Sequence, residues 1–165
     1  MRYYFNIEKK YLIRSRSWRA WFMDADFKSI MLERCYSDKS TMTPQRLLIL
    51  DTLVELKKPI SAYELKDYLN GIGKSLNIAS IYRILEFWCG LKLVHRIRSK
   101  NKFISCSVPE DKHTHIINFC QRCEKTIESC HEKMGIDIEG GAKALGLKLA
   151  NNSHLEIPVY CSSCR

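Results

Sequence analysis

No stretch of this 165-residue chain approaches the roughly 18 consecutive apolar residues of a membrane-spanning helix. Its first 22 residues are basic and aromatic, without the continuous apolar core of about 7–15 residues that marks a secretory signal. Eight cysteines are too few for a dense disulfide scaffold at this length. A nucleophile motif, a glycine-rich phosphate loop and a pair of placed carboxylates are all missing, so no catalytic machinery is expected. Internal repeats and low-complexity tracts are missing too. These gaps point away from membrane, secretion and enzymology, and towards a reducing cytoplasm in which thiols stay free to bind metal.

What the chain does have is a doubled Cys-x-x-Cys motif, Cys120-Gln-Arg-Cys123 and Cys161-Ser-Ser-Cys164. A two-residue gap lets one short turn present two thiolates, and tetrahedral zinc takes four. Two such turns predict a structural Zn(Cys)4 site in preference to redox dithiols or disulfides. The site would join the start of the last third of the chain to its end. It would also stabilise a lobe too small to be secure alone.

The formal charge of +9 is unevenly spread. Residues 1–22 hold six Lys/Arg against one acid, 23–106 hold fourteen against nine, and 107–165 hold seven against eight. That suits a basic extension over 1–22, a DNA-binding lobe over 23–106, a linker over 107–112 and a metal or assembly lobe over 113–165.

Within the second segment a short helix is expected near Asp26–Cys35. Thr43-Pro44 is an N-cap followed by the one helical position that tolerates proline. Ser61-Ala-Tyr-Glu64 is a capping box opening a helix with Leu65, Leu69 and Ile72 on its buried stripe. Ile81, Ile84, Leu85 and Trp88 give the next helix a core-facing stripe, with Ser80, Tyr82, Arg83 and Glu86 off it. Strands near Val94–Arg98 and Phe103–Cys106 flank a turn, Ser99-Lys-Asn-Lys102. Three helices and a basic hairpin carrying Arg96, Arg98, Lys100 and Lys102 are the order of a winged helix-turn-helix. Beyond the linker, strands are expected at Ile116–Phe119, Thr126–Glu128, Leu147–Ala150 and Leu155–Tyr160, with a helix across residues 130–145. The fold class is α+β.

Five histidines are few, and their placement is informative. His95 begins the wing and Cys106 ends it, His113-Thr-His115 precedes the first Cys-x-x-Cys, and Glu128 follows it. His95, Cys106, His113 and Glu128 would make a mixed four-donor site suited to zinc, and its single thiolate argues against an oxygen-rich iron or manganese site.

These motifs together resemble the ferric uptake regulator family of metal-dependent repressors, and within it the zinc uptake regulator branch. Thr43-Pro-Gln-Arg46, Ile60-Ser-Ala-Tyr-Glu-Leu65 and Ala79-Ser-Ile-Tyr-Arg-Ile-Leu85 carry the likeness in the winged lobe. His113-Thr-His115 with Cys120-x-x-Cys123 carries it beyond. The match spans about residues 26–165. The resemblance implies a homodimer on palindromic operator DNA, two zinc ions per protomer, and repression of zinc-uptake genes when zinc is plentiful. Its structural zinc would take Cys120, Cys123, Cys161 and Cys164, and its sensor zinc His95, Cys106, His113 and Glu128. DNA contacts would come from Ser80, Tyr82 and Arg83 on the recognition helix, Tyr63 and Asp67 on the helix before it, and Arg96, Arg98 and Lys100 on the wing.

Only a metal holding donors from both lobes is expected to couple them. Lys57-Lys-Pro59 replaces the histidine that the iron branch carries before its Ser-Ala, and Ile116 and Ile117 replace part of that branch's His/Asp cluster. Iron or peroxide sensing is therefore the secondary expectation. Glu124 replaces the glycine after the first knuckle. Asn152 replaces a histidine before the second, which speaks against a third metal. A small zinc enzyme built on the His/Cys/Glu site is the rival of another class.

Overall fold

The computed structural model describes residues 23–109, 114–123, 125–130, 135–150 and 154–164. The basic extension over 1–22, His113 and Glu124 lie outside these described residues.

Four helices form the first lobe: α1 (Ala25–Ser37), α2 (Pro44–Leu56), α3 (Ala62–Gly71) and α4 (Ile78–Gly90). Each begins where a short polar side chain can accept a backbone N–H that the helix leaves unpaired. Asp24 accepts from Phe27, Thr43 from Arg46, and Asn77 from Ser80. Ser61 and Glu64 close a reciprocal capping box. Ile49, Leu50, Leu53, Leu65, Leu69, Ile81, Leu85 and Trp88 are all fully buried between the helices. Each such side chain removed from water contributes about 1.5–3 kcal/mol before entropy is charged. The Trp88 indole N–H donates to the Arg46 carbonyl at 2.9 Å, so the largest buried side chain also has its polar atom satisfied.

One expected core residue is not there: Ile72 is 50% exposed. α3 ends at Gly71, and Ile72 takes the C-cap position just before Gly73 in left-handed backbone (φ 72°). The helical period that would have buried Ile72 has stopped by then.

The hairpin follows as β1 (Val94–Ile97) and β2 (Lys102–Ser105), antiparallel, joined by a 3-10 turn over Arg98–Lys100. Asn101 closes that turn at φ 49°. A lone bridge from Ile60 to Phe103 stitches the hairpin to the start of α3, with both N–H···O bonds under 3 Å.

The second lobe is a three-stranded sheet of β3 (His115–Cys120), β4 (Thr126–Cys130) and β5 (His154–Val159), with a short helix α5 (Ile138–Ala144) between β4 and β5. β3 is central, antiparallel to β4 and parallel to β5. Residues 147–150 are not a strand; Leu147 is exposed just past Gly146, which has φ 71°.

Residues paired across neighbouring strands share a face, so the register sorts the sheet into two sides. One carries His115, Ile117 and Phe119 with Glu128, His154 and Glu156; the other carries Ile116 and Asn118 with Ile127, Leu155 and Ile157. The first side receives the wing: Ile97 and Ile104 of the hairpin form one apolar cluster with Ile117 and Phe119. The lobes are thus in contact through packed side chains as well as through polar donors.

Candidate metal centres and nucleic-acid face

β3 and β5 run parallel with Cys120 opposite Val159, so both strands end at the same edge. The turns that follow are thereby set side by side, and they carry the two Cys-x-x-Cys pairs. The four sulfurs of Cys120, Cys123, Cys161 and Cys164 lie within 4.8 Å of one another. Cys123 Sγ and Cys161 Sγ are 3.7 Å apart. Two thiolates about 2.3 Å from a tetrahedral zinc lie about 3.8 Å from each other, so the spacing fits. The backbone supports them: Cys161 N–H points at Cys120 Sγ at 3.5 Å, Gln121 N–H donates to Val159, and Arg122 donates to the Cys164 carbonyl.

The neighbouring thiols set one another's charge. The Cys161 N–H, with further backbone donors, lowers the Cys120 thiol to about 6. The neighbouring sulfurs of Cys161 and Cys123 push Cys164 up to about 12. Four thiolates this close coexist only around a positive charge.

The second cluster draws on both lobes. His95 comes from β1 and Cys106 from the residue after β2, while His115 opens β3 and Glu128 lies in β4. Their donor atoms also lie within 4.8 Å of one another. Glu128 Oε1 is the hub, 3.0 Å from His95 Nε2, 2.5 Å from His115 Nδ1 and 3.4 Å from Cys106 Sγ. Its other oxygen, Oε2, accepts from the Ser107 N–H at 2.7 Å and the Ser107 hydroxyl at 2.8 Å. Ser107 is an outer support of the kind metal-binding carboxylates need, and nothing in its sequence neighbourhood points to it.

The Glu128 side chain is only 4% exposed. Burial alone would raise its carboxyl, yet hydrogen bonds from His115, His95 and Ser107 hold it below the usual carboxylate range. Burial, and then the Glu128 charge, push the Cys106 thiol well up. A buried carboxylate beside a thiol held neutral by its surroundings is the donor set a dication would relieve. Two imidazoles, a sulfur and a carboxylate suit zinc.

His95, Cys106 and Glu128 are therefore together. His113 lies outside the described residues, and His115 fills the fourth place. The two-residue strand period is the signal for His115: it shares a face with Ile117, which pairs with Glu128.

On the winged lobe, Arg83, Tyr63 and Asp67 are exposed or half-buried at the surface, while Ser80 and Tyr82 are on the same lobe with Tyr82 half-buried. Tyr82 stacks edge-on against Phe103 with ring centroids 6.3 Å apart. Arg96 is exposed, with Nη2 donating to Asn101. Two further members of the basic run make contacts within the molecule. Lys102 pairs with Glu64 at 3.2 Å, and Lys100 Nζ lies 5.6 Å over the Phe119 ring of the second lobe. The Arg98 N–H donates to Glu156, although its side chain is exposed. Among the described residues, no helix is long and apolar enough to cross a membrane.

Comparison with known proteins agrees with this architecture. The profile of the ferric uptake regulator family matches residues 38–157. The zinc uptake regulation protein of Escherichia coli (strain K12) is 29% identical over 131 residues, covering 79% of this chain and 76% of that one. A solved zinc uptake regulator complexed with zinc and DNA superposes with a TM-score of 0.70 at 26% identity, over 86% of this chain and 96% of that one. The crystal structure of holo XcZur gives 0.66 at 27%, over 84% and 97%.

Proposed function

The chain belongs to the ferric uptake regulator family, and on that premise we propose that it is a zinc-responsive, DNA-binding transcriptional repressor of the cytoplasm that controls zinc-uptake genes. The observation that carries this reading is the convergence of His95 and Cys106 from the winged lobe with His115 and Glu128 from the second lobe. The kinship with zinc uptake regulators, one of them solved with zinc and DNA, supports the same reading.

We assign two zinc ions per protomer. Cys120, Cys123, Cys161 and Cys164 hold the structural one, which closes the C-terminal lobe. His95, Cys106, His115 and Glu128 hold the regulatory one, with His113 as the competitor of His115 for the fourth position. Zinc, when bound, supplies a divalent charge that lets the Cys106 sulfur and the Glu128 carboxylate share one buried site. His95 and Cys106 fix the base of the wing; His115 and Glu128 fix the central sheet. Ser107 holds the Glu128 carboxylate in place. Drawing these four together sets the angle of the winged lobe on the sheet, and so the separation of two recognition helices in a dimer. Four protein donors leave no open coordination position, which opposes the reading of a catalytic zinc site.

The second copy would dock on the sheet's other side, where Ile127 and Leu155 are exposed, with Leu145, Leu147 and Tyr160 exposed elsewhere on the same lobe. Arg83 and Tyr82 of α4 would read a palindromic duplex, with Ser80, Tyr63, Asp67 and the wing residues Arg96, Arg98 and Lys100 as further contacts. Operator titrations at buffered low and high free zinc test the proposal. Zinc should tighten binding by roughly 5–150-fold. A chain that binds duplex equally with and without zinc is not a zinc-responsive repressor.

A further inference from the structure

The wing meets the C-terminal sheet in three places besides Lys100 Nζ over the Phe119 ring. Two are the donor cluster at its base and the apolar contact of Ile97 and Ile104 with Ile117 and Phe119. The third is at its tip. The 3-10 turn over Arg98–Lys100 receives no side-chain cap from its own N-cap residue, Ile97. The cap comes instead from the other lobe. Glu156 Oε1 accepts from the Arg98 N–H at 2.6 Å and Oε2 from the Ser99 N–H at 3.1 Å, across 58 and 57 residues of sequence. Both bonds are charge-assisted, the stronger kind. Partial burial would raise the Glu156 carboxyl, but hydrogen bonds from Ser99 and the Arg98 N–H outweigh it and keep that carboxyl below its ordinary range.

Glu128 and Glu156 are placed symmetrically. Both stand opposite Ile117, one from β4 and the other from β5. Glu128 meets the base of the wing through His95, and Glu156 meets its tip. A histidine lies between the two ends. Glu156 Oε1 is 3.5 Å from His154 Nε2, and the His154 ring lies 5.6 Å from that of His95.

We propose that Glu156 is a positioning residue that pins the wing tip to the C-terminal sheet, so that the hairpin turns as one body with that sheet. This rests on the zinc-responsive reading above, because the pin matters only if the angle between the lobes governs DNA binding. Without Glu156 the hairpin is held only at its base and along that apolar contact, so a change at the donor cluster could be absorbed by twisting at the tip. Held at both ends, the hairpin transmits it.

The test uses the full chain loaded with zinc, as wild type, Glu156→Ala and Glu156→Gln. Hydrogen exchange is measured at the Arg98 and Ser99 amides, with zinc content and zinc-dependent duplex affinity alongside. In Glu156→Ala the two amides should exchange about tenfold faster or more, as expected for two lost hydrogen bonds. Glu156→Gln, which preserves volume and one acceptor, should fall between. Both variants should keep their zinc, while zinc stimulation of duplex binding falls about fivefold or more in Glu156→Ala. Unchanged protection at Arg98 and Ser99 overturns the pin, and so does faster exchange with an undiminished zinc response. If the wild type shows no zinc-dependent duplex binding but Glu156 still protects both amides, the functional reading fails and the pin stands.

Discussion

Cys120 and Cys161 follow each other across the sheet: one ends β3, the other lies two residues beyond β5, and the N–H of Cys161 points at the sulfur of Cys120. The parallel pairing of β3 and β5 is what brings them there. A hairpin would have placed these ends at opposite edges. Holding a parallel pair needs the crossover through β4 and α5, and among the described residues α5 buries none of its side chains. That helix adds little buried surface, so a metal held by the sulfur cluster is expected to contribute to the lobe's stability.

Cys120→Ser and Cys161→Ser should each lose the structural zinc and unfold the second lobe. Structural zinc contributes on the order of 10 kcal/mol to folds of this kind, more than a lobe this small can replace. Strong chelation of the wild type should do the same. Metal content and size-exclusion profile are the measurements. A serine variant that keeps its full zinc and elutes as wild type would refute the assignment.

Trp88→Ala should destabilise the winged lobe by about 3–5 kcal/mol, because the side chain is fully buried and its indole N–H is bonded to Arg46. The proposed zinc donors all come from other elements than α4, so zinc content measured under native conditions should be unchanged. Denaturant unfolding followed by a winged-lobe probe reads the shift. A cost below about 1 kcal/mol would mean that the cavity collapses around the loss.

The winged lobe is legible from sequence because its signals are local. Thr43-Pro44, the Ser61–Glu64 box and the Ile81–Trp88 stripe each act within one or two helical turns, and each is in place. Ile72 escapes its expected stripe because Gly71 ends the helix one residue too early. The strand expected at Leu147–Ala150 is absent because an apolar run says nothing about whether a neighbouring strand has a free edge. The sulfur cluster is legible by motif, while the parallel pairing that assembles it is not. The wing's basic run is readable as charge, but its engagement is not: Lys102 and Lys100 find Glu64 and Phe119, which are remote in sequence. The sequence gives no hint that the lobes also meet through the cluster of Ile97, Ile104, Ile117 and Phe119 and through Glu156. Glu156 has no sequence signature at all, because the wing groups it accepts from are backbone N–H groups.

Arg83→Ala should weaken duplex binding while leaving zinc content and oligomeric state unchanged, because Arg83 lies on α4 off the buried stripe. A base contact would cost about 1–3 kcal/mol at one operator position; a phosphate contact would lower affinity for all sequences alike and reduce the salt slope by about one. Titrations against specific and scrambled duplexes at two salt concentrations separate these. Equal binding by variant and wild type to both duplexes would remove Arg83 from the interface.

The identity of the second imidazole at the regulatory site can be settled by paired substitutions. His95→Ala and Cys106→Ser remove donors from the winged lobe, and each should leave the four-thiolate zinc in place while abolishing zinc-stimulated DNA binding. His115 is buried with Nδ1 against Glu128, so His115→Ala should behave like His95→Ala. His113→Ala should then retain the zinc response. The reverse result, loss in His113→Ala and retention in His115→Ala, would place His113 in the coordination sphere and leave His115 as a hydrogen-bond donor to Glu128. Zinc stoichiometry should fall from about two to about one per chain in whichever variant has lost a ligand, with the remaining ion on the thiolates. If all four variants keep both ions and the full response, the sensor lies elsewhere, and the convergence of His95, Cys106, His115 and Glu128 is a buried ion-pair network with no regulatory role.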